Sequence, residues 1–294
     1  MTERRRCASV QPCSIPPSWP ALLDPRLTLL RDGTAARSLE GIVPATRYID
    51  TTMRQATVPA AALRRAPSPD AEQLDQLLFG ELFEVLDEAD GWAFGQAKRD
   101  GYVGYVETTG LTVQTTAPTH TVRALRTYAF SVPSIKAPPT GLYSMNALIT
   151  AEGQEGRFVK TAAGWFVQEH LVPIAQAEPD YVAVAKRFVG APYQWGGRES
   201  LGLDCSGLVQ QAFYASGRDC PRDSDQQAAM GEPVDVLRRG DLVFWRGHVA
   251  IMVSDTDIVH ANATHMAVVI EPLTEAIART IAKGGGEPTA YRRL

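Results

Sequence analysis

The sequence predicts an α+β protein: two small all-β barrels followed by a mixed domain in which helices precede strands. Three observations point there. Short alternating apolar runs separated by turn clusters begin at Ala56, a second stretch of the same character starts near residue 117, and after Ala175 the apolar spacing turns helical before returning to β-rich runs. At 294 residues the chain exceeds the ~100 to 200 residues of one ordinary domain, so two or three units fit it.

Composition narrows the function classes. Hydrophobic residues make up 45% and charged residues 21%, as expected of a globular protein. A net charge of −4 offers no basic face for a nucleic acid or a membrane surface. The cysteines, Cys7, Cys13, Cys205 and Cys220, form no CxxC pair and no zinc-type spacing with histidine, so free thiols in a reducing compartment are expected. In the opening MTERRRCASVQPCSIPPSWP, prolines stand where a signal peptide needs its apolar run. A cytoplasmic setting is the resulting expectation.

Residues 1–55 mix Pro, Arg and short apolar runs without sustained period and are expected to form an extension that packs on a neighbour. Residues 56–116 carry ATVPA, LLFGELFEVLDE, GWAFGQA and GYVGYVE between turn clusters, the pattern of a small barrel. Residues 117–175 repeat it weakly with TVRALRTYAF, LYSMNALITAEG, GRFVKTA and GWFVQEHLVP. Residues 176–294 begin with DYVAVAKRFVG, which places Val182, Ala185, Phe188 and Val189 at helical spacing and stops at Gly190. LDCSGLVQQAFYASG aligns Leu208, Val209, Ala212 and Phe213 on one helix face, ending at Gly217. DLVFW, HVAIMVS, DIVHAN and AVVIEPL then read as strands.

Cys205 is the first chemical candidate. Asp204 is placed to cap its helix, which puts the thiol in the first turn, where the helix dipole favours the thiolate. A buried core cysteine is the bland alternative. A thiol nucleophile needs a base, and the base needs an orienting group. His248 and His260 flank a hairpin with Ser254 to Thr256 at its tip. A three-residue loop centred on Asp255 would set His248 opposite Asn262 and leave His260 on the same face, a diagonal neighbour ~7 to 8 Å away. A two-residue loop at Asp255 and Thr256 would put the imidazoles on opposite faces. His120, His170 and His265 are read as structural.

At this point PYQWGGRESLGLDCSGLVQQAF, RDSDQQA, GDLVFWRGHVAIMV and IVHANA together resemble the NlpC-type cell-wall cysteine peptidases of the papain-like class, over about residues 177 to 294. The Gly-Trp and GYVGYV strands upstream look like bacterial SH3-type domains. The resemblance implies a papain-like catalytic domain behind two SH3-like barrels. It also implies Cys205 as nucleophile, His248 as base, His260 as orienting residue and Tyr193 as a helper at the oxyanion site, with no metal or organic cofactor.

Family members with SH3-type domains ahead of the peptidase include γ-D-glutamyl-L-diamino acid endopeptidases, whose substrates are peptidoglycan-derived peptides. By that resemblance Asp204, Ser206 and Ser224 line the amino-terminal side of the substrate pocket, and Glu81 and Tyr102 of the first barrel close it around a free amine. Equally open at this level, Asp204 only caps its helix, Glu81 is a solvated strand residue and Tyr102 is barrel core. Rival readings of the whole chain are an acyl transferase using the same thiol, a wall-binding protein with a vestigial catalytic domain, and a zinc site, for which no fourth ligand is evident.

Overall fold

The computed structural model describes residues 24–294. Cys7, Cys13 and the start of the expected extension lie outside the described residues. Strands Leu30–Arg31, Thr34–Ala36 and Arg47–Ile49 form a small sheet. Leu29 and Ala36 pack with Leu86, Phe94 and Val103 on the outside of the first barrel. This part of the extension does lie on a neighbour.

The first barrel is a seven-stranded sheet running from Thr52 to Thr112, closed around Leu63, Leu77, Phe83, Ala97 and Val106. The apolar run LLFGELFEVLDE, expected as one strand, is two: Gln73–Leu78 and Leu82–Ala89. The break falls at Gly80, whose φ is +81°. A Cβ there would stand 2.2 Å from the Leu148 carbonyl oxygen of the second barrel. Left-handed backbone and close approach both require glycine.

The second barrel repeats the first, pairing for pairing. In the first, Thr52–Ala56 pairs with Leu82–Ala89 and Leu111–Thr112, and Ala60–Arg64 pairs with Gln73–Leu78 and Val103–Glu107. In the second, His120–Val122 pairs with Leu148–Ile149 and Leu171–Pro173, and Arg126–Phe130 pairs with Pro139–Ser144 and Gly164–Val167. Its core holds Val122, Ala129, Ile149, Val159 and Phe166. The weak sequence repeat is therefore a repeat of topology.

The last domain has helices α1 (Tyr181–Arg187), α2 (Cys205–Ala215), α3 (Ser224–Gln227) and α4 (Leu273–Ala282). Its antiparallel sheet runs in the order 232–233, 290–293, 242–245, 248–252, 257–262, 267–272. Asp180 caps α1 by accepting from the amides of Val182 and Ala183. Val182, Ala185 and Phe188 are buried as expected, but Val189 is 47% exposed because α1 stops at Arg187 and the helical phase is lost before it. All four apolar residues expected on the α2 face are buried, and α2 lies against strands His248–Met252 and Asp257–Asn262. Phe188, Phe213, Leu242, Val249 and Val259 form the core between them.

Both barrels grip this domain. The second sends Asn146, at φ +69°, into α2, where its amide donates to the Gln211 carbonyl at 2.9 Å and to Gln211 Oε1 at 2.8 Å. From the first barrel, Asp75, Glu81 and Asp100 surround Arg198, and Asp75 also meets Arg222.

Candidate active site

Cys205 is the first residue of α2, and the Asp204 carboxylate caps the helix by accepting from the Gly207 amide at 2.8 Å. Asp204 Oδ2 also accepts from the Gly196 amide at 2.9 Å, tying the Gln-Trp-Gly-Gly segment to the cap. That approach needs glycines. A Cβ on Gly207 would lie 2.3 Å from the Gly197 carbonyl oxygen, and one on Gly196, at φ +69°, would lie 2.5 Å from the Gln73 carbonyl oxygen of the first barrel.

The hairpin register pairs Ile251 with Val259 and Met252 with Ile258. This is the alternative with a turn centred on Asp255, and it leaves His248 and His260 on one face. His248 Nε2 lies 2.8 Å from His260 Nδ1. Behind them, His260 Nε2 lies 2.7 Å from Glu271 Oε1 and 3.0 Å from the Asn262 amide nitrogen. Arg279, on α4, holds both Glu271 oxygens, at 2.7 and 2.5 Å. The backbone of Val249, one residue on from His248, acts on the Cys205 thiol in favour of its ionised form, which sets the start of that strand beside the sulfur.

Electrostatics correct one expectation. Burial pushes the Cys205 thiol up to about 12, and the negative Asp204 adds to the shift. The dipole of α2, worth ~0.3 to 1 kcal/mol, does not offset this. Burial likewise depresses His248 to about 3, with the neighbouring His260 acting in the same direction. Both shifts favour the neutral thiol and the neutral imidazole over the charge-separated pair.

Arg222 ties the start of α2 to the first barrel. It is 1% exposed and bidentate to Asp204, at 3.0 and 2.6 Å; it also donates to Ser206 Oγ at 2.8 Å and to Asp75 at 2.8 Å. Ser206 in turn donates to Asp204 Oδ1 at 3.1 Å. Ser224 opens α3 beside Asp223, and Tyr102 of the first barrel reaches across to donate to Asp223 Oδ2 at 3.0 Å. Arg26, from the amino-terminal segment, also binds Asp223, at 2.8 Å. Burial raises the Tyr193 hydroxyl pKa, and the neighbouring Cys205 and Asp204 raise it further.

Glu81 is placed differently from the pocket-closing role the resemblance implies. It is 1% exposed, accepts from the Leu78 amide, and is ion-paired to Arg198 and to Arg99. Its charge is already matched by these two guanidiniums.

Sequence reasoning missed Arg222 and Glu271. Arg222 stands two residues before Ser224, so the motif RDSDQQA contained the clue. Glu271 is a carboxylate inside an apolar strand. Val269 pairs with His260, which makes Glu271 its diagonal neighbour on the same face. That clue appears only once the register between these two neighbouring strands is known.

Residues 63–111 match the bacterial dipeptidyl-peptidase Sh3 domain, and residues 190–283 match the NlpC/P60 family. The gamma-D-glutamyl-L-lysine dipeptidyl-peptidase of Bacillus subtilis (strain 168) is 31% identical over 228 residues, covering 69% of this chain and 76% of that protein. The protein of the same name from Bacillus cereus is 31% identical over 136 residues, covering 43% and 40%. Among solved structures, an NlpC/P60 family protein from Bacillus cereus superposes with a TM-score of 0.71 at 22% identity, over 82% of this chain and 99% of that one. That likeness shows the fold.

Proposed function

Since the chain belongs to the NlpC/P60 family of cysteine peptidases, we propose that it hydrolyses the γ-D-glutamyl bond to a diamino acid in peptidoglycan-derived peptides that carry a free amino-terminal L-Ala. The Cys205 sulfur attacks the γ-carbonyl carbon while its proton passes to His248. The tetrahedral oxyanion forms at the start of α2, where free amides and the Tyr193 hydroxyl are at hand. Collapse breaks the C–N bond as the His248 imidazolium gives its proton to the leaving amine. Water, deprotonated by His248, then attacks the thioester, and the thiol is restored.

The observation carrying the free-amine part is a charge imbalance at the junction of the first barrel and the catalytic domain. Arg26, Arg99, Arg198 and Arg222 there meet Asp24, Asp75, Glu81, Asp100, Asp204, Asp223 and Asp225. Burial pushes Asp75 well above the usual carboxylate range. Even with Asp75 neutral, carboxylates outnumber guanidiniums. A wall of that sign favours an ammonium and gives an acylated amine nothing in return. Recognition of a chain end also favours released peptides over intact cross-linked wall. The cytoplasmic setting expected from the sequence belongs to this proposal, and fractionation of the host tests it.

Comparing kcat/KM for L-Ala-γ-D-Glu-diaminopimelate with its N-acetylated form is the direct test. The free amine should be preferred by ~30-fold or more, the equivalent of about 2 kcal/mol in transition-state binding. Equal rates on the two would remove the free-amine requirement, and loss of neither rate in Cys205→Ala would remove the peptidase reading itself.

A further inference from the structure

His260 Nε2 faces two partners that make opposite demands. Glu271 Oε1, at 2.7 Å, can only accept a hydrogen bond when ionised, whereas the Asn262 amide nitrogen, at 3.0 Å, can only donate. The Asn262 amide cannot escape by turning over, because its oxygen accepts from the His265 backbone amide at 2.9 Å. One ring nitrogen cannot satisfy both neighbours. Its protonation decides the proton positions along the whole row of side chains that ends at Cys205.

We propose that Glu271 is a positioning residue that fixes the tautomers of both imidazoles, and that Asn262 is the competing donor it overrides. The inference rests on His248 being the base for Cys205. A charge-assisted bond is roughly twice as strong as a neutral one, so the carboxylate prevails and His260 carries its proton on Nε2. Its Nδ1 then holds a lone pair and must accept. Only His248 Nε2–H, 2.8 Å away, can fill that bond, and this leaves the lone pair of His248 on Nδ1, the remaining nitrogen for the thiol proton. Were Asn262 to prevail, every bond in the row would reverse and His248 Nδ1 would carry a hydrogen, unable to act as base.

The surroundings keep Glu271 in this state. Arg279 grips both oxygens, and its charge and the hydrogen bond from His260 hold the carboxyl below its usual range, against the effect of burial. The charged and titratable groups facing the two imidazoles are Glu271, Arg279, Asp204 and His265. Glu271 is the one that both touches His260 and can only accept. When His248 becomes an imidazolium, its Nε2–H keeps the same bond, so no proton has to travel to Glu271.

Two readouts independent of any peptide substrate test this. The first is the nitrogen NMR signature of His248 in histidine-labelled protein; the second is the rate at which iodoacetamide alkylates Cys205, followed on its own tryptic peptide. In the wild type, His248 Nδ1 should show the unprotonated, pyridine-type signal. Glu271→Ala should move it to the protonated, pyrrole-type signal and slow alkylation and kcat by ~100-fold, the low end of what general-base catalysis contributes, with KM changed little. Glu271→Gln keeps an oxygen for His260 Nε2 without the charge, so it should retain the tautomer and lie between the two.

The distinctive outcome is suppression. Adding Asn262→Ala to Glu271→Ala removes the donor that enforces the wrong tautomer, and activity should recover ~10-fold over Glu271→Ala alone, which loss of packing cannot produce. An unchanged His248 signal in Glu271→Ala, or a double variant no faster than the single, overturns the role of Glu271 alone. Alkylation of Cys205 that is indifferent to His248→Ala overturns the reading of the site, and the proposal with it.

Discussion

At the scale of single residues, the buried charges separate structural roles from chemical ones. Cys205→Ala should abolish hydrolysis, and His248→Ala should lower kcat by ~10² to 10⁴-fold while leaving the fold intact. Glu81→Ala should instead act on stability. It leaves Arg198 and Arg99 short of a partner, at a cost of about 3 to 5 kcal/mol in denaturant unfolding. Intact stability with lost discrimination between free and acetylated substrate would restore the pocket role to Glu81. The depressed His248 sets a pH expectation with a definite sign. An imidazole held neutral when folded, with its pKa down to about 3, contributes stability above the ordinary 6.5 and loses it as pH falls from 6.5 toward 3. Melting temperatures measured down this range should fall less steeply in His248→Asn. At this scale Cys205 and the two histidines were legible because their chemistry is intrinsic. Arg222 and Glu271 were not: Arg222 answers to Asp75 of the first barrel, far away in the chain, and Glu271 to His260 only through the register of two neighbouring strands.

At the scale of elements, α2 and the hairpin carry the site, and each rests on a detail of backbone geometry. Gly207 in the first turn of α2 leaves no room for a methyl group. Gly207→Ala should therefore destabilise the protein by about 1 to 3 kcal/mol despite alanine's better helix propensity, and should displace Cys205 enough to reduce kcat. A thermal melt and a rate assay on the same sample check both. The α2 amphipathic face and the strand order of the last domain could be read directly, because local period and burial agree there. The hairpin register stayed undecided between two turns in the sequence, and packing of one face against α2 selects between them. The break at Gly80 was invisible for a similar reason, as what it avoids is a carbonyl of another barrel.

For the whole molecule, the arginines of one domain depend on the carboxylates of another. Arg198 and Arg222 belong to the catalytic domain, while Asp75, Glu81 and Asp100 come from the first barrel. A fragment holding residues 176–294 alone would expose its core-lining guanidiniums without partners. We expect it to show no cooperative thermal transition, while the full chain melts with the barrel and catalytic domain together. The fold class and the existence of two barrels were legible from patterning. How the barrels meet the catalytic domain was not, because ion pairs across a junction leave no periodic trace in the sequence. The two barrels share one topology yet hold α2 differently: the first at its start, where Asp75 binds the Arg222 that grips Asp204, and at mid-helix through Gln210, the second through the neighbouring Gln211. The helix bearing Cys205 thus behaves like a beam on two supports, and the supports are joined to each other where the Leu148 amide donates to the Phe79 carbonyl beside Gly80. The short link at 113–118 consequently acts as a spacer, and lengthening or shortening it would tilt the beam and carry Cys205 with it.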